Sequence, residues 1–198
     1  DPHAAVGCVN GARIVRPRRA SPLLPGVPVV TRRLDRRVEQ DWTLAGVHPA
    51  AVPAEAGSIV QTAPGIEIRH LLEATLAGAR VRIDAEIFDL TDPDLILLLQ
   101  SAQRRGVRVR ILLDPAQDVN RPTFAWLRRS SIEVRWYRPP PGAKLHAKAV
   151  LADNRLVVGS ANWSRHGLDV NHELDVATAT ADALAAFAAR FEADWRAA

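Results

Sequence analysis

The segment HAKAVLADNRLVVGSAN, residues 146–162, decides the fold because it holds two strand-like runs joined by a turn. Alternating or continuous apolar residues are typical of strands, and ADN between the two runs favours a tight reversal of the chain. We therefore predict a β-hairpin, with His146 and Lys148 on one face of its first strand because they are two residues apart. The residues that this hairpin gathers into one small volume are His146, Lys148, Gly159, Ser160 and Asn162.

These residue types suit the chemistry of an anion. An imidazole acts as a nucleophile or a general acid–base near neutral pH, and a hydroxyl and an amide supply hydrogen bonds as charge develops. A lysine adds a compact point charge for a phosphoryl oxygen. The two lysines of the chain, Lys144 and Lys148, flank His146. A cramped anion site explains this placement, and genomic base composition is a second explanation for the preference for arginine elsewhere.

Strands and helices alternate on both sides of the hairpin. Strand-like patterns cover 58–62, 80–88, 107–114, 132–137 and 172–178. Helical spacing covers 65–79, 93–106 (ending at Gly106), 122–129 and the chain from about 180. This order predicts an α/β fold with a mixed sheet and helices on both faces.

The first 57 residues differ in composition from the rest. They hold seven of the 14 prolines and eight arginines against five acidic residues, which leaves 18 basic and 17 acidic residues in 58–198. We predict that 1–57 is an irregular segment with one short helix near 31–42, and that 58–198 is the catalytic domain. Because the basic excess lies outside that domain, the net charge of +4 is a weak argument for nucleic acid.

A short repeat links the two parts. RRVEQDW at 36–42 resembles ARFEADW at 189–195, with four identical residues at an offset of 153. One explanation is two unrelated amphipathic helix ends. The other is that 1–42 is the tail of a preceding copy of the domain and that 43–57 is a linker.

Several classes of protein and site are excluded by composition. Cys8 is the single cysteine, so the chain has no internal disulfide and no zinc site of several thiolates. The apolar runs are too short for a membrane-spanning helix. The chain starts at Asp1 and has no methionine, which leaves open both processing of the N terminus and the cellular location.

The hairpin resembles the phospholipase D superfamily, whose signature is HxKxxxxDxxxxxxGSxN. Its six fixed positions are matched in order by His146, Lys148, Asp153, Gly159, Ser160 and Asn162. In this chain five residues separate Asp153 from Gly159, one fewer than in that signature. Six fixed positions make the signal specific. The resemblance extends over about 58–198, through EIFDLTDPDL, NWSRHGLDVNHELDV and FEADW.

The resemblance implies a phospholipase D-like sheet and a cofactor-free, metal-independent attack on a phosphodiester. It implies that His146 is the nucleophile and forms a phosphohistidine. Lys148 and Asn162 would hold the non-bridging oxygens, with Ser160 assisting. Glu173, in NHE at 171–173, is similar to the family glutamate that orients a catalytic histidine.

Asp153 is expected to be structural and to fix the hairpin. Two such motifs normally meet in the family, from two halves of one chain or from a homodimer, and the second histidine protonates the leaving oxygen. This chain has one copy, because no second HxK exists. We therefore expect a homodimer or a missing upstream half.

Other interpretations of these residues stay open. Ser160, His146 and Asp153 are the residue types of a hydrolase triad, although VGSAN is not a nucleophile elbow. Asp84 and Glu86 share a strand face and are expected to be structural rather than Mg²⁺ ligands. Residues expected at a rim or in packing are His166, His172 and Trp163.

Three functions follow from these patterns. We favour a phosphodiesterase that hydrolyses or transfers phosphatidyl groups, because the domain is nearly neutral and the segment after the motif lacks a platform of several aromatic residues. A dimeric single-motif endonuclease is the alternative. A phosphate or nucleic-acid binding module without turnover is the third.

Overall fold

A computed structural model of the chain describes residues 60–63 and 67–198. Within these ranges, the strands β1 to β7 are Val60–Ala63, Arg82–Ile87, Arg108–Leu113, Glu133–Trp136, Lys148–Ala152, Arg155–Gly159 and Glu173–Thr178. The helices α1 to α4 are Glu67–Gly78, Pro93–Arg104, Asn120–Arg129 and Ala181–Ala197, and a π-helical turn covers His166–Val170. The predictions made for 1–57, including the short helix and the linker, lie outside the described residues.

The strands form one mixed sheet with the order β1-β7-β6-β5-β2-β3-β4. Strands β2, β3 and β4 run parallel, and β5 pairs antiparallel with both β2 and β6. The predicted α/β fold with a mixed sheet is therefore confirmed. Because β5 starts where β2 ends, with Lys148 opposite Ile87, the start of β5 lies at the carboxyl edge of the parallel strands. Open α/β sheets bind ligands at that edge.

Helix α2 shows how local sequence sets these elements. The Asp92 carboxylate accepts a hydrogen bond from the Leu95 amide at 3.0 Å, and Pro93 occupies the first turn. Gly106, with φ of 87°, follows the helix and permits the left-handed conformation that ends it. The predicted helix end at this glycine is confirmed.

Apolar side chains cover both faces of the sheet. On one face, helices α1 and α2 pack over β2, with Leu72, Leu99 and Ile83 fully buried. On the other face, Phe191 and Trp195 of α4 pack against Leu112. Each fully buried side chain of this size contributes about 2 kcal/mol of hydrophobic stabilisation. The expectation of helices on both faces is confirmed.

Helix α4 is held to the sheet by polar contacts as well. Arg110 donates from Nε to Asp84 at 2.7 Å and from Nη2 to Glu192 at 2.5 Å, and its guanidinium lies 5.4 Å from the Trp195 ring centroid. Arg190 pairs with Asp194 within the helix. These contacts involve the four residues at 189–195 that are identical in the two copies of the short repeat, Arg190, Glu192, Asp194 and Trp195. The N-terminal copy lies outside the described residues, so the repeat stays a prediction.

Asp153 stands at the turn between β5 and β6, where its φ is 50°. Its carboxylate accepts hydrogen bonds from three successive backbone amides at 2.7 to 3.0 Å, those of Arg80, Val81 and Arg82. The hairpin is thereby tied to the start of β2.

None of the helices in the described ranges is both long and apolar enough to span a bilayer.

Glu86 is a buried carboxyl at the interface with α4. It is 6% exposed, and its Oε1 atom has no hydrogen-bond partner within the described residues. Burial raises the pKa of Glu86 to about 7, the charge of Asp194 raises it further, and the charge of Arg190 opposes this. The pKa of a glutamate in the unfolded chain is about 4.3. Between that pH and about 7, the folded protein therefore retains a proton that the unfolded chain has lost.

Stability is therefore expected to fall as the pH rises through that window, and Glu86→Gln should relieve part of the loss. We expect the stabilisation by this variant to grow by on the order of 2 kcal/mol between pH 5 and pH 8. Urea unfolding at both pH values measures it, with the exposed Glu133→Gln as the control. An equal effect of Glu86→Gln at both pH values would contradict the shifted pKa.

Candidate active site

His146 precedes the hairpin strand instead of lying inside it. The prediction placed His146 and Lys148 on one strand, but pairing between β2 and β5 ends at Ile87 and Lys148, so His146 stands two residues before the strand. The backbone nevertheless continues alongside β2, because the Phe88 amide donates to the carbonyl of Ala147 at 2.8 Å. His146 is thus exposed at the carboxyl edge of the sheet.

The Lys148 ammonium contacts the His146 imidazole directly. Its Nζ lies 3.0 Å from Nδ1 and 3.2 Å from Nε2 of His146, and it donates to the His146 carbonyl at 3.0 Å. The Phe88 ring packs beside both, 4.8 Å from Nζ and 4.4 Å from the imidazole centroid. Lys148 is 4% exposed, so its charge is held in one place by buried surroundings.

This environment favours the neutral imidazole. Desolvation by the surrounding protein lowers the pKa of His146 from its ordinary value, the charges of Lys148 and Lys144 lower it further, and the charge of Asp114 opposes them. A neutral imidazole has one unprotonated ring nitrogen, which carries the lone pair needed for attack. His146 is therefore available as a nucleophile beside a fixed positive charge.

Ser160 of the motif forms a hydrogen-bonded pair with Glu173. The Ser160 hydroxyl donates to Glu173 Oε2 at 2.5 Å and accepts from the Leu174 amide at 3.1 Å, while Asn171 donates to Glu173 Oε1 at 3.1 Å. Glu173 contacts these groups and not His146 within the part of the chain that the structure describes. Its hydrogen bonds fix the position of the Ser160 hydroxyl.

Asn162 lies in the loop after β6 and is half-buried. Its Oδ1 atom is buried and has no hydrogen-bond partner among residues 60–63 and 67–198. Gly167 lies so close that a Cβ there would overlap the Asn162 carbonyl oxygen. Gly159 makes room for the side chain of Asp175, because a Cβ at this position would overlap that carboxyl.

Two residues that were not predicted from the sequence bind the backbone next to His146 and Phe88. Asp114, fully buried after β3, accepts hydrogen bonds from the Leu145 amide at 2.6 Å and the Ala116 amide at 2.8 Å. Asn120 donates to the Phe88 carbonyl at 2.8 Å and accepts from the Leu90 amide at 3.0 Å. The signal for Asp114 was present, because a carboxylate ends the buried strand VRVRILLD.

A third missed residue, Arg69 of α1, holds the π-helical turn beside the site. Its guanidinium makes two hydrogen bonds to Asp169 at 2.8 Å, and Nη2 also donates to Asp92 at 2.8 Å. The turn carries Gly167, which packs on Asn162. No local sequence pattern reports this network, because its partners are 23 and 100 residues away.

The structure separates the residues that the alternative interpretations would bring together. Asp153 binds backbone at the far end of β5, so it does not form a triad with Ser160 and His146. Trp163 is buried in the core, and Asp84 is ion-paired with Arg110. Both rim histidines, His166 and His172, are exposed.

The chain is similar in sequence to a known protein family and to curated relatives. Residues 72–195 match the family described as cardiolipin synthase, PLD-like domain. The chain is 32% identical over 130 residues to the human mitochondrial cardiolipin hydrolase. The matched region covers 65% of this chain and 50% of that protein. The chain spans about half the length of the first curated relatives that it matches.

Solved structures show the same fold. The phospholipase D family member Nuc from Salmonella typhimurium superposes with a TM-score of 0.64 at 25% identity, covering 69% of this chain and 92% of Nuc. NucT from Helicobacter pylori superposes with a TM-score of 0.61 at 19% identity, covering 69% and 96%. Both matches cover nearly the whole of the solved chain.

Proposed function

Since this chain belongs to the phospholipase D superfamily, with residues 72–195 matching its PLD-like domain, we propose that it is a metal-independent phosphodiesterase acting on phosphatidyl groups. The contact between the neutral His146 imidazole and the buried Lys148 ammonium carries this proposal. It pairs a nucleophile with a fixed cation at the edge of the sheet where ligands bind.

The proposed reaction has two steps. A ring nitrogen of His146 attacks phosphorus, the phosphorus–oxygen bond to the leaving group breaks, and a phosphohistidine forms. Water or an alcohol then attacks this intermediate and releases His146. Lys148 and Asn162 would hold the non-bridging oxygens, and Ser160, fixed by Glu173, would add a hydrogen bond.

The proton on the leaving oxygen requires a second acid. The chain contains one HxK motif, and Glu173 does not reach His146 within the described residues. We therefore propose that a second copy of the chain, or an upstream half, supplies the second histidine. In that arrangement both histidines serve one phosphodiester.

The substrate class is supported by the relatives. The family description names cardiolipin synthase, and the similar human protein is named a cardiolipin hydrolase, which supports a phosphatidyl substrate. The alternative is a dimeric endonuclease. The near-complete coverage of the Salmonella chain supports it, and the net charge adds little because the basic excess lies outside residues 58–198. A binding module without turnover is the third candidate.

The first measurement is the solution mass by light scattering. A dimer is expected, and it would make substrate assays meaningful. Cardiolipin vesicles and plasmid DNA are then tested with EDTA present. Release of phosphatidate or head group with intact DNA supports the phosphatidyl proposal, whereas DNA nicking that weakens with salt supports the nuclease. A dimer that is inactive on both contradicts the enzyme proposal.

A further inference from the structure

Asp175 is a buried carboxyl at the back of the candidate site. It is 1% exposed on β7, in the register position opposite Gly159. A Cβ on Gly159 would overlap the Asp175 side chain and its Cα atom. The sequence therefore keeps a glycine where this carboxylate lies against the neighbouring strand.

The carboxylate holds the backbone that leads to Asn162. Its Oδ1 accepts a hydrogen bond from the Ala161 amide at 3.2 Å. The Ser160 amide itself donates to the Leu174 carbonyl at 3.2 Å, so two contacts from β7 fix this turn. Loss of the carboxylate would leave the buried Ala161 amide without its acceptor.

Charges from two strands act on this carboxyl. Glu173 on β7 repels it, and Lys148 on β5 attracts it, with His146 beyond Lys148. Strand β6 contributes the backbone at Gly159 and the Ala161 amide that follows it. Burial raises the pKa of Asp175 to about 7, the hydrogen bond from Ala161 and the nearby Ser160 amide lower it, and the charge of Glu173 raises it.

We propose that Asp175 is a positioning residue of the phosphate site: it fixes the turn from Ser160 to Asn162 and sets how strongly Lys148 attracts a phosphodiester. This inference rests on the proposed phosphodiester function. When the carboxyl is ionised, its negative charge offsets the Lys148 ammonium and weakens the attraction for an anion. When it is protonated, the field of Lys148 acts on the substrate with less compensation.

The two lysines allow a direct test. In protein labelled with ¹³C at lysine Cε, two side-chain signals are expected, and Lys144→Arg assigns them. We expect the Lys148 signal and the Ala161 amide to shift with a midpoint near pH 7, the pKa of Asp175. In Asp175→Asn this step should vanish, while the lower step from His146 remains. Asp182→Asn, an exposed change on α4, should leave both steps.

Binding provides the second readout. Dimethyl phosphate is the probe, because its single charge is constant over this pH range. Its dissociation constant for the wild type should rise about fivefold between pH 6 and pH 8, in proportion to ionisation of the carboxyl. In Asp175→Asn the change over that interval should be clearly smaller, because only the His146 step remains.

The structural part is separated by a second variant. The amide of Asn keeps an acceptor for Ala161, and Ala does not. Hydrogen exchange at the Ala161 amide should therefore be slow in Asp175→Asn and faster in Asp175→Ala. Persistence of the step near pH 7 at Lys148 in Asp175→Asn, or its absence from the wild type, overturns the proposal. Failure of dimethyl phosphate to bind at any pH contradicts the phosphodiester site, and the Lys148 and Ala161 signals still decide the electrostatic role of Asp175.

Discussion

Replacement of His146 by alanine is expected to lower turnover by on the order of 10⁴-fold or more while leaving the fold intact. The side chain is exposed at the edge of the sheet, so its removal opens no cavity in the core. The imidazole is the proposed attacking group, and without it no phosphohistidine forms. Initial rates on cardiolipin vesicles measure the loss, and unfolding in urea checks the stability.

His70→Ala is the matched control, because this histidine is exposed on α1 and belongs to no part of the site. It should retain the wild-type rate. Rapid quenching at alkaline pH followed by mass spectrometry should find phosphate or a phosphatidyl group on the peptide containing His146 in the wild type alone. Substantial turnover in His146→Ala would refute the proposed nucleophile.

Lys148→Arg is expected to lower kcat/KM by about 10²- to 10³-fold although the positive charge is retained. The ammonium occupies a buried position against the His146 ring, with Nζ 3.0 Å from Nδ1 and 4.8 Å from the Phe88 centroid. A planar guanidinium is larger than this space and presents its donors in a fixed fork. It would displace the imidazole or leave the phosphate position.

Lys144→Arg is the control for this change, because Lys144 is exposed and four residues away. Its rate should stay within about threefold of the wild type. A dimethyl phosphate titration of Lys148→Arg should show weakened binding as well as slow turnover. Wild-type rates in Lys148→Arg would show that charge alone suffices and would remove the steric explanation for lysine at this position.

Much of the fold was readable from local pattern. Alternation predicted the strands around 82–87, 108–113 and 133–136, and Gly106 marked a helix end, because these signals act within a few residues. The π-helical turn at His166–Val170 was not predicted. It depends on Arg69, whose partner Asp169 is 100 residues away, and such tertiary contacts leave no local signature.

The site was predicted in its residue types and less well in its contacts. The motif named His146 and Lys148, and the structure shows their side chains touching. The sequence could not show that Glu173 would bind Ser160, because a carboxylate at that position reaches several partners through rotamers. Asp175 lies two residues further along the same strand and was missed for the same reason.

The unequal burial of the two lysines matters for chemical labelling. Lys144 is exposed and Lys148 is almost fully enclosed, and no other side-chain amine occurs in the 198 residues. Of the two lysines of the folded protein, an acylating dye or cross-linker will therefore modify Lys144, in addition to any free α-amine. A spectroscopic reporter attached this way stands two residues from His146 without any engineered cysteine.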